Sequence, residues 1–198
     1  MLILSKSKKL FRADKLPNKI ERRNNMTFAK VSETVYNRVI PELESNPLFN
    51  GVMNYDDIKL PTRGTPGSAG YDFYSPISFT LHRNESIVVP SFIRFVINPG
   101  EDKYFLMMVP KSGLGFRYNM TFANTVGIID SDYFLTSTDD STDEGNILID
   151  IINGNRDEMI VDKGQKICQG IILPFTTVAN DEVIQKVRNG GIGSTGLK

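Results

Sequence analysis

Three segments of this 198-residue sequence combine residue types suited to a phosphorylated substrate. In Asn124-Thr-Val-Gly-Ile-Ile-Asp-Ser-Asp-Tyr133 an apolar run delivers two carboxylates, Asp130 and Asp132, and an aromatic ring to its end. A carboxylate fixed at a strand end can orient a water and take its proton. Pro110-Lys-Ser-Gly-Leu-Gly115 follows an apolar run with a cation, a hydroxyl and backbone left approachable by glycine, the ingredients of a phosphate cradle. Asn189-Gly-Gly-Ile-Gly-Ser-Thr-Gly196 has four glycines in eight positions, with Ser194 and Thr195 as hydroxyl donors. That tail suits a triphosphate, but it is not a P-loop, because no Gly-Lys-Ser/Thr follows a strand at the required spacing. Taken singly, each segment has a plainer reading: two turns and a flexible end.

The elements that must position these residues read as β structure. From residue 52 onward, short runs of Ile, Val, Phe and Tyr alternate with Gly, Pro, Asn and Asp turns, the texture of a sandwich or barrel. Strands are expected over 69–74, 86–89, 91–97, 103–109, 124–129, 146–152, 158–161 and 167–173. Before them, Phe28, Val31, Val35 and Val39 fall on one helical face, so an amphipathic helix is expected over 27–39, stopped by Pro41. Residues 1–51 then form a basic arm and helix, 52–188 the barrel, and 189–198 a flexible tail. The segment 135–144, rich in Ser, Thr and Asp, reads as an exposed insert.

Bulk composition narrows the classes. Lys plus Arg equals Asp plus Glu at 23 each, so no overall field recruits nucleic acid or a membrane surface. The eight basic residues before residue 26 read as a solvated tail, with a polyanion-binding or targeting arm as the alternative. One cysteine, Cys168, and one histidine, His82, exclude an intrachain disulfide framework and a Cys/His zinc site. No apolar run approaches a membrane span, and the expectation is a cytoplasmic chain of cellular or phage origin.

Order and spacing then join the segments. The chain resembles the trimeric dUTPase family through five motifs: Ala69-Gly-Tyr-Asp-Phe-Tyr-Ser75, Pro110-Lys-Ser-Gly-Leu114, Gly127-Ile-Ile-Asp-Ser-Asp-Tyr133, Gly164-Gln-Lys-Ile-Cys-Gln169 and Gly190-Gly-Ile-Gly-Ser-Thr-Gly196. The resemblance covers roughly residues 57–198. It implies an all-β, jelly-roll-like barrel, a homotrimer with active sites shared between chains, and Mg²⁺-dependent hydrolysis of dUTP to dUMP and pyrophosphate. Asp130 is then the general base, and Tyr133 packs under the deoxyribose and excludes a 2′-hydroxyl. Asn124 with the backbone of Gly127, Ile128 and Ile129 reads the uracil edge. Ser112, Gly113, Gln169, Arg188, Ser194 and Thr195 hold the phosphates, Lys111, Ile192 and Gly193 also belong to the substrate-binding set, and Asp72 steadies water ligands of a Mg²⁺ bound mainly by the triphosphate.

The chain departs from the family pattern at four places. Lys111 stands where Arg is usual, keeping the charge but losing the bidentate fork. The insert interrupts the usual Asp-Tyr-x-Gly. Ile192 replaces the aromatic residue that usually stacks on the base, as in some phage and Bacillus-type members, and Arg188 sits one residue closer to the fifth motif. The first 50 or so residues have no counterpart in a minimal member, and they or the insert offer a surface for a protein partner. Two rivals share the fold: the dCTP deaminase branch, and a non-catalytic interaction module. Retention of Asp130, Tyr133 and the Gly-Ser-Thr-Gly tail favours the pyrophosphatase.

Overall fold

A computed structural model of the chain describes residues 26–97, 103–135, 144–155 and 157–181. The basic arm 1–25, residues 136–143 of the insert, and Arg188, Ile192, Gly193, Ser194 and Thr195 lie outside the described residues. In chain order the elements are β1 (Met26–Lys30), α1 (Glu33–Ser45), β2 (Phe49–Val52), β3 (Thr62–Arg63), β4 (Gly70–Tyr74), β5 (Ile77–Leu81), β6 (Ser86–Pro90) and β7 (Ile93–Ile97). They continue with β8 (Tyr104–Pro110), α2 (Ser112–Tyr118), β9 (Thr121–Phe122), β10 (Gly127–Ile129), β11 (Leu148–Ile152), β12 (Met159–Val161) and β13 (Lys166–Pro174). Short 3-10 turns lie at Tyr55–Asp57 and Tyr133–Leu135.

The strands pack as an all-β, jelly-roll-like barrel whose pairs are antiparallel throughout the described residues. A five-stranded sheet of order β10-β8-β13-β4-β3 is its largest layer, facing smaller sheets β6-β11-β9, β12-β5-β2 and β1-β7. Alternation decides which face each strand buries. In β5, Ile77, Phe79 and Leu81 are at most 1 % exposed, whereas Ser78 and Thr80 face outward. Deleting such a ring, as in Phe79→Ala, costs about 3–5 kcal/mol through lost burial and the cavity left behind.

The region before residue 52 differs from the expected helix over 27–39. Its first part is strand β1, which pairs residue by residue with β7, from Met26↔Ile97 to Lys30↔Ile93. Ser32 then caps α1, its Oγ accepting the Val35 N–H at 3.3 Å. Ser, Thr, Asp and Asn favour this position because they satisfy an otherwise orphaned donor. Pro41 lies within α1 rather than ending it. Its side chain is exposed, and the ring removes one backbone donor without breaking the helix. Val31, Val35 and Leu43 join the barrel's own hydrophobic core, so residues 26–52 are continuous with it in packing.

Most expected strands are present within one or two residues of their bounds, while β2, β3, β5 and β9 are additions. The second motif is not a simple turn. Lys111 caps helix α2, whose Leu114 and Tyr118, four residues apart, are both buried.

Candidate functional site

The polar heart of the five-stranded sheet is Asp72 on β4, only 2 % exposed. Its Oδ1 accepts from Lys111 Nζ at 2.6 Å and from Gln169 Nε2 at 2.9 Å, while Oδ2 lies 2.7 Å from Lys166 Nζ. Burial raises the carboxyl's pKa, but hydrogen bonds from Lys111, Lys166 and Gln169, with the Lys111 charge, outweigh it and bring the value down to about 2. The Lys166 ammonium is correspondingly favoured, first by its hydrogen bond to Asp72 and then by that residue's charge. One anion between two cations leaves a net positive seat, suited to a polyphosphate.

Local structure explains this convergence. Gln169 is the direct Cα partner of Asp72 across β4 and β13. The register shifts between Lys166 and Cys168, so two residues of β13 oppose one of β4. Such a bulge re-aims a side chain. Strict alternation would put Lys166 and Gln169 on opposite faces; the bulge brings both to Asp72. Lys111 arrives at the end of β8, where its own N–H donates to the Ile167 carbonyl at 3.0 Å. Ser112 and Gly113 follow on the exposed first turn of α2. Cys168, inside the same strand, is fully buried, and its thiol pKa is pushed up by burial first and by the Asp72 charge second.

The third motif starts on β10, which with β9 forms one arm of a hairpin whose other arm is β11. The arms pair at their base, Thr121↔Ile152 and Phe122↔Ile151, and the Ala123 N–H donates to the Asp150 carbonyl at 3.1 Å. Beyond that point they separate. Thr125 takes φ +69°, and β10 turns away to pair with β8 through Gly127↔Met108, Ile128↔Met107 and Ile129↔Leu106. A Cβ on Gly127 would lie 3.0 Å from Met108 Cβ, so this close approach favours glycine. Between the arms lies a cleft of about 330 Å³, with Asn124, Gly127 and Ile129 on one side and Leu148, Ile149 and Asp150 on the other.

Asp130 follows β10 and is exposed, bordering a second hollow of about 270 Å³ with Phe105, Ile128, Ser131 and Phe175. Tyr133 is only 7 % exposed; its hydroxyl donates to the Asn146 carbonyl at 3.1 Å. Asn146 in turn accepts the Phe92 N–H through Oδ1 at 2.8 Å, which fixes the end of the insert against β7. Gly145, at φ +73°, permits the turn that returns the chain there; a Cβ on it would approach Phe134 Cα to 2.7 Å.

The structure thus brings Asp72, Lys111 and Gln169 together and adds Lys166, which the sequence reading did not single out. It brings Asn124, Gly127 and Ile129 to one cleft and adds Asp150. It does not bring Asp130 to the cationic seat within one chain. Ile129 pairs with Leu106, near the start of β8, whereas Lys111 lies beyond its far end. At about 3.3 Å per residue, that separation is on the order of 15–20 Å.

An antiparallel, all-β barrel carrying a buried cationic seat and a separate apolar cleft is the class of protein that the fold and site define. The dUTPase family model matches residues 56–196. The chain is 34% identical over 149 residues to the deoxyuridine 5'-triphosphate nucleotidohydrolase of Dictyoglomus turgidum, covering 71% of this chain and 92% of that one. Its fold matches the crystal structure of the dUTPase from Streptococcus mutans with a TM-score of 0.58 and 19% identity, over 77% and 98% of the two chains. A mutant dUTPase from phage phi11 of S. aureus, whose structure concerns coordination of a structural Mg(II) ion, matches with a TM-score of 0.55 and 17% identity, over 82% and 99%. This chain belongs to the dUTPase family.

Proposed function

We infer that the chain hydrolyses dUTP to dUMP and pyrophosphate, limiting uracil incorporation into DNA. The observation that carries this reading beyond family membership is the buried Asp72 carboxylate holding two ammonium groups and Gln169 beside an exposed Ser112-Gly113 turn. That arrangement receives a triphosphate without rearrangement, because its cations are already fixed. The uracil enters the cleft between the hairpin arms, where Asn124 and the backbone of Gly127, Ile128 and Ile129 read its edge. Tyr133 is a platform beneath the deoxyribose. A ring held by core packing and by its bond to Asn146 yields little to an added 2′-hydroxyl. Asp130 takes the proton of the water that attacks the α-phosphorus. The tail 189–198, with Arg188, Ile192, Gly193, Ser194 and Thr195, closes over the nucleotide.

The distance between Asp130 and the cationic seat supports a composite site. The base cleft and Asp130 of one chain meet the Asp72–Lys111–Lys166–Gln169 seat of a neighbour in a homotrimer. Ile128, at 51 % exposure, and Phe175, at 37 %, flank Asp130 and supply apolar surface for such a contact.

A carboxylate has about four acceptor positions. Three of Asp72's are taken, two on Oδ1 and one on Oδ2. One position fits a hydrogen bond from a Mg²⁺-bound water but not direct ligation, and no cluster of three or more metal-binding side chains exists among the described residues. Asp72 would therefore steady a metal held mainly by triphosphate oxygens. When bound, Mg²⁺ neutralises phosphate charge while keeping several waters. We place the activity in the cytoplasm, with the nucleotide pool. No helix among the described residues is long and apolar enough to cross a membrane.

The test is pyrophosphate release from dUTP, dCTP, dTTP and UTP with and without Mg²⁺. The expected outcome is turnover of dUTP far above the other three; equal or greater turnover of dCTP would reject the reading.

A further inference from the structure

The insert interrupts the chain between Tyr133 and Gly145, yet the two ends of the interruption touch. A Cβ on Gly145 would lie 2.7 Å from Phe134 Cα and 3.0 Å from the Tyr133 carbonyl oxygen, so the neck of the insert is closed at its base. Closing a loop costs chain entropy, which contacts at the neck must offset. The returning limb finds them by two routes. Glu144 accepts the Ser32 N–H on Oε2 and the Ser32 hydroxyl on Oε1, both at 2.8 Å, with Arg94 Nη1 3.6 Å from Oε2. Two residues on, Asn146 accepts the Phe92 N–H. The Phe92 carbonyl in turn accepts from Val31 N–H at 3.0 Å, and its ring centroid lies 5.0 Å from that of Tyr36. Asn146 is also the residue whose carbonyl takes the Tyr133 hydroxyl. Glu144 itself sits at φ +50°, a conformation that a residue with a side chain keeps only where its surroundings over-determine it. Val31, Ser32 and Tyr36 all precede residues 56–196, the stretch shared with the family. The support of Tyr133 thus runs through this chain's own N-terminal segment.

We propose that Ser32 and Glu144 are positioning residues for sugar selection. Their clamp keeps the neck of the insert closed and thereby holds the Tyr133 ring where a 2′-hydroxyl does not fit. The proposal rests on the reading of Tyr133 as the deoxyribose platform, and deepens it by naming what fixes that platform in a chain whose turn is interrupted. A short turn would hold the ring through chain connectivity; here hydrogen bonds to a distant segment do that work. Excluding one hydroxyl by shape demands a wall that does not yield, and small displacements of a positioning group are costly. The carboxylate suits the task because it accepts two donors of one residue at once, and such charge-assisted pairs are directional. Ser32 serves both sides: its Oγ donates to Glu144 while accepting the Val35 N–H that starts α1.

Kinetics on dUTP and UTP test it, with Glu144→Ala, Ser32→Ala, Ser32→Thr and Tyr133→Ala beside the wild type. Fluorine NMR of the fluorotyrosine-labelled full chain, without nucleotide, reports the ring directly; the Tyr133 signal is assigned by its loss in Tyr133→Phe. Glu144→Ala and Ser32→Ala are each expected to raise the UTP-to-dUTP ratio of kcat/KM about fivefold and to shift or broaden the Tyr133 signal. Both remove one clamp, so the double variant should go no further than either single. Ser32→Thr keeps the hydroxyl and should hold the ratio within about twofold of wild type. A merely structural clamp would lower the melting temperature and leave ratio and signal in place. If Tyr133→Ala relaxes the ratio while the two alanine variants keep it within about twofold, or leave the signal unmoved, the proposal is wrong and the platform stands. If Tyr133→Ala leaves the ratio unchanged, the platform reading fails and the proposal with it. Without dUTP turnover by the wild type the reaction reading falls, and an unmoved fluorine signal then overturns the clamp as well. Failure of both alanine variants to fold would mark the contact as a requirement of the fold and overturn its positioning role.

Discussion

Asp72 and Asp150 are both aspartates on barrel strands, and their surroundings drive them in opposite directions. Asp72 is the more deeply buried, yet three hydrogen-bond donors, two of them cationic, hold its pKa near 2. Asp150 has an apolar cleft, an unpartnered Oδ1 and a raised pKa. Burial alone therefore does not set the chemistry of a carboxylate here; the donors arranged around it do. The first region is finished before substrate arrives and can only organise cations. The second is incomplete: Oδ1 of its carboxyl has no hydrogen-bond partner among the described residues.

The largest effect is expected at the carboxylate that belongs to neither environment. Asp130→Asn should lower kcat by roughly 100-fold or more with dUTP binding retained, as removal of a general base does. Single-turnover kinetics and dUTP binding measured together check this; near-normal kcat in a folded variant removes Asp130 from the mechanism.

Next comes Asp72→Ala, which leaves two ammonium groups facing each other. Loss of one partner from a buried pair costs about 3–5 kcal/mol, but Lys111 is 27% and Lys166 43% exposed, so about 2 kcal/mol is expected. The same energy should appear in acid. A folded pKa of about 2 lies below the unfolded value of about 3.9, so Asp72 stabilises fully above pH ~4. That contribution, about 2 kcal/mol, fades as pH falls from ~4 toward 2. Asp150 behaves oppositely: its raised pKa makes it destabilising as pH rises above the unfolded value, so Asp150→Asn should gain melting temperature at neutral pH. Denaturation of wild type and both variants from pH 2 to 7 separates the two profiles. Parallel curves would erase the distinction between the two aspartates.

The smallest effect concerns Glu144, at the end of the insert. Its carboxylate accepts from Ser32 N–H and Ser32 Oγ, both at 2.8 Å, and lies 3.6 Å from Arg94. Glu144→Ala should cost about 1 kcal/mol by loosening the cap of α1, visible as a fall of a few degrees in melting temperature. Replacement of residues 135–143 alone, leaving Glu144 in place, should change stability little. A large loss from that replacement would show the insert packing on the barrel.

Much of this was legible in the sequence, for identifiable reasons. Strand positions followed from apolar runs between turn residues, and the resemblance of the motifs to a known family singled out Asp72, Lys111 and Gln169 before any distance was known. Lys166 was hidden because period-two reading turns it away from Gln169, and only a bulge reverses that. Asp150 was hidden because a lone Asp among isoleucines reads as the solvent face of a strand. The helix expected over 27–39 failed where Phe28 took its place in a strand: four apolar residues at helical spacing do not reveal that β7 needs an edge partner. No local pattern discloses such a long-range pairing.

The separation of Asp130 from the cationic seat is the feature on which the composite site stands, and chain mixing probes it directly. A chain carrying Asp130→Asn is coexpressed with one carrying Lys111→Ala and Gln169→Ala, and mixed oligomers are isolated through distinct tags. If the base cleft and the phosphate seat of one site come from different chains, some sites in the mixture regain every group. The expected result is dUTP hydrolysis well above that of either parent oligomer. Verified mixed oligomers with no activity above their parents would contradict it, and place Asp130 and the seat in the same chain's site.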